Sequence, residues 1–234
     1  RLCIYTYYCF LLGKKQFKDS ILKLFMENDD LLEEIIKDCY MTKEDLEIWA
    51  TDQKNYIAQK SQEISYYVTK RYKALKLVNA LLDYKEKKTK KNICFNKIYE
   101  YLCNSMIKDA PNLEQEKNII KSNFIKDPKY ENYIINPNNI QHCLKKESII
   151  FLIKNNAEII TKNADIEPLI QNYIFPELSS PCGLLREQSC HLITYFGNLP
   201  YKNNDLLESI IRKLCELMSN DPQLSVKLYA SLAI

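Results

Sequence analysis

Glycine and proline are scarce in this chain, which has 3 glycines and 8 prolines among its 234 residues. So few helix breakers favour long helices over a sheet protein, which needs many tight turns. The sequence also lacks GxGxxG, GxxxxGK[ST], HExxH and GxSxG, the patterns of dinucleotide, nucleotide, zinc-peptidase and hydrolase sites. We therefore predict no catalytic residue, no cofactor and no metal site. An enzyme would need a convergent pocket of perturbed titrating groups, for which the sequence offers no candidate.

The chain also lacks a strong excess of one charge. Its net charge is +3, from 33 basic and 30 acidic residues that are mixed along the sequence. Nucleic-acid binders concentrate basic residues on one face or segment, so this distribution argues against direct nucleic-acid binding. Hydrophobic residues make up 46% of the chain, which is enough for a large core. We predict an all-α fold.

No CxxC pair occurs among the nine cysteines. We interpret the cysteines as reduced thiols of a cytosolic or nuclear protein. Two pairs, His142-Cys143 and Cys190-His191, are adjacent in sequence, whereas metal ligands on one helix face need spacings of about 3 or 4. We predict that both pairs pack in the core or at its boundary.

The opening segment, residues 1–12, reads RLCIYTYYCFLL and has the look of a signal-peptide core behind one positive charge. It lacks an A-x-A-like cleavage site, and about 12 apolar or aromatic residues are too few to cross a bilayer. We predict a buried helix and no membrane insertion. The chain begins without Met and ends at Leu232-Ala233-Ile234 inside an apolar pattern, so we expect a piece of a longer protein.

One helical template occurs three times, at a spacing of 41 residues in both steps. The copies are Leu144-Lys145-x-x-Ser148-x-x-Phe151-Leu152, Leu185-Arg186-x-x-Ser189-x-x-Leu192-Ile193 and Val226-Lys227-x-x-Ala230-x-x-Ala233-Ile234. A period near 40 built from helices is typical of HEAT and armadillo arrays, in which each helix pair packs only against its neighbours. We predict one array over residues 1–234, a right-handed α-α superhelix of about five helix pairs with the second helices lining its concave side.

The pattern predicts first helices at 165–178 and 206–218, and second helices at 184–196 and from 223 onward. Two predicted caps keep the same period: Ser180-Pro181 and Asp221-Pro222 each indicate a capping side chain followed by proline at the first helical position. Asn139 is the matching cap one repeat earlier. Ser189 and Ala230 share a column in which a small side chain lets second helices approach closely.

An upstream copy of the template, Lys70-Arg71-x-x-Ala74-Leu75-x-Leu77-Val78, precedes the Leu144 copy by 74 residues. A first helix at 93–107 accounts for part of this distance. The surplus lies in 109–138, a Lys- and Asn-rich stretch that we predict to be an insertion, loosely ordered or partly helical. It is either a partner-docking loop or a solvated insertion. Residues 14–60 are predicted to form earlier helices of the same array.

Lys145, Arg186 and Lys227 occupy one column of successive second helices, which predicts a ladder of three cations along one edge of the concave side. Such a ladder can grip an acidic partner. Alternatively, each cation bridges to polar groups in the neighbouring turn, as Asp221 does for Arg186 or Lys227 in this interpretation.

One stretch is densely acidic: Asp29, Asp30, Glu33, Glu34, Asp38, Glu44, Asp45 and Glu47. Its first four residues are candidates for contact with a basic segment of a partner. The alternative is an ordinary solvated helix face and loop.

Residues 175–234 resemble the mid-chain HEAT repeats of the importin-beta family of nuclear transport receptors, closest to the importin seven and importin eight subfamily. The matching residues are Phe175-Pro176, Ser179-Ser180, Arg186, Cys190 and Phe196. An earlier block is similar to the subfamily's CY…ELW-x-x-DP-x-x-YI segment, with Gln53 in place of its proline. Its matching residues are Cys39-Tyr40-Met41-Thr42, Glu47-Ile48-Trp49, Asp52 and Tyr56-Ile57.

The resemblance implies a receptor that shuttles between cytoplasm and nucleus, binds protein cargo, contacts phenylalanine-glycine nucleoporins and is controlled by Ran in its GTP form. The family's main Ran site lies in N-terminal repeats, so no residue of this chain is assigned to Ran. The inner faces of the family's members are often acidic, whereas this chain has a net charge of +3. Two alternatives stay open: a static HEAT-repeat scaffold, and an exportin of the cellular-apoptosis-susceptibility type, which carries a similar Asp-x-x-x-Tyr-Ile block.

Overall fold

The computed structural model describes residues 2–61, 69–84, 92, 94–107, 124–126, 133–135, 141–197 and 199–234. Before the predicted insertion, the helices are α1 (Leu2–Leu12), α2 (Lys15–Glu27), α3 (Asp29–Asp38), α4 (Lys43–Thr51), α5 (Gln53–Ser61), α6 (Lys70–Leu82) and α7 (Phe95–Ile107). After it come α8 (Gln141–Asn155), α9 (Ala157–Asn163), α10 (Ile166–Leu169), α11 (Gly183–Phe196), α12 (Asn204–Asn220) and α13 (Leu224–Leu232). The all-α prediction is confirmed, and the helices pack on one another as in a HEAT-like solenoid.

The second helices stack in the order that the 41-residue period predicts. α11 packs against α8 on one side and against α13 on the other, and α12 packs against α13. The three first positions of the template, Leu144, Leu185 and Val226, are buried at 4%, 0% and 0% exposure, because each faces the neighbouring helices. Ser189 and Ala230 are fully buried as well, as expected for a column of close approach. The upstream copy also joins the stack, since α6 contacts α8.

We call α6, α8, α11 and α13 the second-helix row. α1 packs against α6 at one end of this row. The prediction of a buried helix at 1–12 holds for one face only: Tyr5, Leu11 and Leu12 are buried, whereas Tyr7 and Phe10 are 58% and 57% exposed. No described helix is both long enough and apolar enough to span a membrane.

The first helix predicted at 165–178 is helical but not a continuous α-helix. α10 is followed by a π-helical turn at Ile170–Ile174 and a 3-10 turn at Pro176–Ser179. The amide of Phe175 donates to the carbonyl of Ile170 at 2.8 Å, five residues back. Pro176 has no amide hydrogen and cannot continue an α-helical ladder, so the chain widens before it and tightens after it.

The two periodic capping residues, predicted to be N-caps, lie two positions before the N-caps of the helices in the structure. Ser180 Oγ accepts a hydrogen bond from the amide of Cys182 at 3.2 Å, and Asp221 Oδ1 accepts one from Gln223 at 2.9 Å. Cys182 and Gln223 are the residues that immediately precede α11 and α13. Each capping side chain therefore closes a turn just before its helix, and the proline lies in that turn and not at the first helical position. The third predicted cap, Asn139, lies outside the described residues.

α4 and α5 contact the later end of the second-helix row, and the assignment of residues 14–60 to earlier helices of the same array stays a prediction. α5 packs against α13, more than 150 positions later in the chain, whereas α1 and α3 contact α6. Side chains of α4 and α5 contact α11 and α13, so this segment crosses from the first helices of the chain to the later part of the second-helix row.

Most of the predicted insertion at 109–138 lies outside the described residues. Its described parts are two short strands, β1 (Phe124–Lys126) and β2 (Tyr133–Ile135), and not helix. They pair antiparallel, with Phe124 opposite Ile135 and Lys126 opposite Tyr133. β2 contacts α4, so this part of the insertion reaches the segment that crosses the row.

Candidate binding site on the second-helix row

Glu187 of α11 joins four helices through one buried carboxylate. Only 1% of Glu187 is exposed. Its oxygens accept hydrogen bonds from Trp49 Nε1 at 2.7 Å, the Tyr56 hydroxyl at 3.0 Å and the Ser225 hydroxyl at 2.7 Å. Burial raises the pKa of Glu187, against the lowering effects of these hydrogen bonds and of the positive charge of Lys60. A buried carboxylate is tolerated when its lone pairs are satisfied, as they are here.

The segment α4–α5 comes close to α11 because Gly183 has no side chain. A Cβ at Gly183 would lie 3.0 Å from Cη2 of Trp49 and 3.1 Å from Cγ of Gln223. Gln53, at the start of α5, accepts a hydrogen bond from the amide of Ser225 at 3.2 Å and also bonds to the side chain of Gln223. The segment α4–α5 is thus held against α11 and α13 by the packing of the indole ring on Gly183 and by the hydrogen bonds of Gln53 and Gln223.

A second buried polar contact joins α6 to α8. Arg71 Nη2 lies 2.6 Å from Glu147 Oε1, with side-chain exposures of 9% and 0%. The guanidinium carbon of Arg71 also lies 3.9 Å from the ring centre of Phe151, a cation–π contact. This pair places a charge-neutral, hydrogen-bonded bridge inside the row, one repeat before Glu187.

A cavity of about 240 Å³ opens where α5 meets the second-helix row. Its polar walls are formed by Lys60, Lys154, Glu187, Gln188, His191 and Tyr229, and Asn155 and Tyr195 lie at its exposed rim. Inside it, Lys154 Nζ lies 3.3 Å from Gln188 Oε1 and 2.9 Å from His191 Nδ1. The imidazole of His191 stacks on the ring of Tyr229 with centres 4.1 Å apart. We call this cavity the Lys154 pocket.

Burial perturbs both bases of the Lys154 pocket. Desolvation, reinforced by the charges of Lys60 and Arg71, lowers the pKa of Lys154 to about 7 against the opposing effects of Glu147 and Glu187. Desolvation and the charge of Lys154 lower the pKa of His191 to about 2, so the imidazole is neutral and its Nδ1 accepts from the ammonium group. The expectation that the chain offers no convergent pocket of perturbed groups is therefore wrong. Burial between packed helices accounts for these shifts, which by themselves do not define a catalytic site.

The three cations predicted to form a ladder each contact a neighbour in the chain. Arg186 forms a two-point pair with Asp221, at 2.6 Å from Nε and 3.1 Å from Nη2, and its Nη1 donates to the Ser180 carbonyl at 2.8 Å. Lys145 lies 3.0 Å from Glu33, and Lys227 donates to the Ser219 carbonyl at 3.2 Å. The contacts of Arg186 agree with the alternative interpretation, in which the cation bridges to the neighbouring turn, because its guanidinium joins α11 to the turn before α13. A role of the three cations in partner binding stays a prediction.

The four acidic candidates also contact neighbours within the described chain or begin a helix. Asp29 lies 2.7 Å from Lys97, and Glu34 lies 3.2 Å from Lys37. Glu33 pairs with Lys145, so two predicted partner-binding residues bind each other, and Tyr101 donates to the same carboxylate at 3.0 Å. Asp30 is exposed in the first turn of α3, and its amide donates to Asn28. Partner binding by these carboxylates stays a prediction too.

The groups that meet at this site lie in segments whose sequence indicates only packing helices. Lys154 directly follows the apolar run at 149–153, where a charge is costly unless it is paired, and that cost is a signal in the sequence. Glu187 lies in the polar stretch 186–189, where the sequence gives no such signal. Its partners Trp49 and Tyr56 were visible only as part of the earlier resembling block. His191, predicted to pack, lies at the wall of the pocket.

The fold and this site define a helical-repeat protein whose second-helix row is crossed by an earlier segment of the same chain. Over 94 residues, 38% of this chain, the sequence is 32% identical to Importin-8 of Mus musculus and 31% identical to Importin-8 of Homo sapiens. Importin-8 of Danio rerio is 30% identical over 69 residues. These similarities support a relation to the importin-beta family. The aligned segment spans 9% of the length of the mouse and human relatives. No family profile and no solved structure matches the chain significantly.

Proposed function

We propose that this chain is part of an importin-type nuclear transport receptor, a non-enzymatic protein that carries protein cargo through the nuclear pore. The proposed receptor contacts phenylalanine-glycine nucleoporins, responds to Ran in its GTP form and shuttles between cytoplasm and nucleus. The relation to Importin-8 supports this proposal, although it covers a small part of those proteins.

A contact between distant segments supports the proposal beyond sequence similarity. The two blocks that resemble the importin seven and eight subfamily are far apart in sequence, and they meet at Glu187. Trp49 and Tyr56 belong to the earlier block and donate to this carboxylate of the later block, across 138 and 131 residues. Glu187 lies in the later block between its matching residues Arg186 and Cys190, so the two similar regions are in direct contact in the fold.

The test is a pull-down with the full-length protein. It uses immobilised phenylalanine-glycine repeats, with serine-glycine repeats as the matched control, and a cargo screen repeated with Ran-GTP and with Ran-GDP. An import receptor binds the phenylalanine-glycine repeats and releases cargo only with Ran-GTP. Retention of cargo by Ran-GTP would favour an exportin of the cellular-apoptosis-susceptibility type. Loss of both the repeat binding and the Ran dependence would contradict the proposal and favour a HEAT-repeat scaffold.

A further inference from the structure

We propose that Cys143 and Cys182 are a modification site: they form a reversible disulfide bond when the protein reacts with a peroxide, and Cys182 is the thiol that reacts first. The bond joins the first turn of α8 to the residue that precedes α11. This inference goes beyond the proposed transport function and does not depend on it, because it concerns two thiols at one joint of the helical array.

The two thiols meet where the start of α8 packs against the turn before α11. Cys143 is the third residue of α8, and Cys182 is the N-cap residue of α11. The side chain of Cys143 forms a hydrogen bond with that of Cys182, and both residues are buried. Both thiols are reduced in the structure. A disulfide bond has an S–S distance of about 2.05 Å, which two sulfur atoms in hydrogen-bond contact reach by a small shift of either side chain.

The surroundings of Cys182 favour its thiolate, which is the form that attacks a peroxide. The hydrogen bond with Cys143 lowers the pKa of Cys182, against the opposing effect of burial. Hydrogen bonds from the backbone amides of Leu185 and Leu184, together with the positive charge of Arg186, also lower this pKa. Both amides belong to the first turn of α11, where the helix dipole places partial positive charge.

Other buried cysteines of the chain have the opposite shift. Burial raises the pKa of Cys39 and of Cys190 to about 12, and that of Cys103 to about 11. These thiols are protonated at neutral pH and therefore react slowly with oxidants. We expect Cys182 to be oxidised before them.

The position of Cys143 near the end of a helix gives a small oxidant access to the pair. Gln141, the first residue of α8, is exposed, and His142 is partly exposed. Helix ends fray, so local opening of this first turn uncovers the two sulfur atoms. Nε2 of His142 lies 3.2 Å from Sγ of Cys143. In the tautomer that is protonated at Nδ1, this nitrogen can accept the proton of the Cys143 thiol.

The reaction oxidises two thiols and reduces one peroxide to two water molecules. The thiolate of Cys182 attacks one oxygen of hydrogen peroxide, the O–O bond breaks, and hydroxide leaves and combines with the proton that Cys182 had released. Cys182 is then a sulfenic acid. The sulfur of Cys143 attacks the sulfenic sulfur, the S–O bond breaks and the S–S bond forms. The departing hydroxide takes the proton that Cys143 gave to His142 and leaves as water. A thiol reductant reverses the bond by thiol–disulfide exchange.

The disulfide would close a joint that polar contacts already hold. Lys146 of α8 pairs with Glu177 of the 3-10 turn at 2.6 Å, and Ser180 accepts a hydrogen bond from the amide of Cys182. The loop between the two cysteines, residues 144–181, contains α9, α10 and the π-helical turn. A covalent link across this loop restricts the opening of the joint. Oxidation should therefore slow the hydrogen exchange of backbone amides in the first turns of α8 and α11.

The experiment is oxidation of the folded full-length protein by hydrogen peroxide in excess over its thiols. Free thiols are then blocked, and the protein is digested with trypsin without reductant and analysed by mass spectrometry. Trypsin releases Cys143 within residues 130–145 and Cys182 within residues 163–186, and each of these peptides contains one cysteine. We expect the two peptides to be linked after oxidation and separate after treatment with dithiothreitol.

Three alanine variants, treated with dimedone to trap sulfenic acids, test the order of the steps. Cys143→Ala should accumulate a dimedone adduct at Cys182, because no second thiol converts the sulfenic acid to a disulfide. Cys182→Ala should lose the linked peptides and give no adduct at Cys143. Cys190→Ala is the matched control, because Cys190 is a buried cysteine of α11, and it should form the linked peptides as the native protein does. Analysis of the native protein needs no substitution, so it decides the proposal independently of how the variants fold.

Any of three results would overturn the proposal. These are the absence of the linked peptides from the oxidised native protein, linkage of Cys182 to another cysteine in place of Cys143, or an adduct at Cys143 of Cys182→Ala as abundant as that at Cys182 of Cys143→Ala. None of these measurements involves nucleoporins, cargo or Ran, so failure here is distinguishable from failure of the proposed function.

Discussion

Removal of the Glu187 carboxylate should destabilise the protein far more than its conservative replacement. In Glu187→Ala, three donors that are buried against Glu187 lose their acceptor. Each unsatisfied buried group costs about 1–3 kcal/mol. The hydroxyls of Tyr56 and Ser225 can rotate toward other acceptors, but the indole N–H of Trp49 is fixed in the ring plane. Glu187→Ala also removes the cost of burying a charge, which offsets part of these losses. We therefore expect a net cost of about 3–5 kcal/mol.

Glu187→Gln keeps the shape and most of the hydrogen bonds. One carboxylate oxygen accepts from both Trp49 and Ser225, and the other accepts from Tyr56. A glutamine can place its carbonyl oxygen at the first position and donate from its amide nitrogen to the Tyr56 hydroxyl, which is able to accept. We therefore expect a cost of about 1 kcal/mol. Glu216→Ala is the control, because Glu216 is a 57% exposed side chain on α12, and its cost should stay within about 0.5 kcal/mol.

The assay is urea unfolding of the three variants, read by the fluorescence of the single tryptophan. Trp49 is only 3% exposed, so the native emission of Glu187→Ala should shift to longer wavelength if the segment detaches from α11. Equal stability of Glu187→Ala and Glu187→Gln, with unchanged emission, would refute the reasoning. In that case the carboxylate would not be what holds α4 and α5 against the row.

Three further predictions concern packing and titration along the same row. Gly183→Ala should cost about 1–3 kcal/mol in a thermal melt, since its Cβ would meet the indole ring at 3.0 Å, whereas Gly197→Ala, whose Cβ lies 3.5 Å from the nearest atom, should not be destabilising. Ser189→Leu should overpack the contact between second helices and lower the stability of the fold by about 1–3 kcal/mol. Lys202→Leu should be nearly neutral, because the pair of Lys202 with Asp165 is exposed. Equal melting temperatures for the two variants would contradict the 41-residue register. The pKa of Lys154 is about 7 in the folded protein, against an ordinary value of 10.5. Between these pH values the unfolded chain binds more protons than the folded one, so the free energy of unfolding should rise with pH. Lys154→Met should flatten this rise, and an unchanged slope would contradict the burial of the Lys154 ammonium group.

The period of the sequence was sufficient to predict the second-helix row. Leu144, Leu185 and Val226 recur at one spacing because each faces the same kind of neighbour in successive repeats, and such local periodicity is visible without coordinates. The turn before α11 was less predictable, since Pro176 converts the end of the first helix into π and 3-10 turns. Proline marks where an α-helix fails but not which geometry replaces it.

Sequence periodicity could not predict the site, because the contacts of the site join residues that are far apart in the chain. The patterns of α4 and α5 predict helices, but nothing in them indicates that Trp49 contacts Glu187, which lies 138 residues later in the chain. Glu187 and Lys154 looked like ordinary charges of amphipathic helices. Only the apolar run before Lys154 indicates a buried charge, and it cannot identify which donors or acceptors satisfy that charge. The family resemblance identified Trp49 and Tyr56 as part of a block, without their partner.

The contact between Trp49 and Glu187 is central to the proposed function and to the candidate site, since it joins the two resembling blocks and closes the site. The most direct measurement is the hydrogen exchange of the Trp49 indole N–H by NMR, which gives one resonance because the chain has one tryptophan. We predict strong protection in the native protein and in Glu216→Gln, and its loss in Glu187→Ala. An indole that exchanges as fast as an exposed one in the native protein, or that stays protected in Glu187→Ala, would contradict this arrangement.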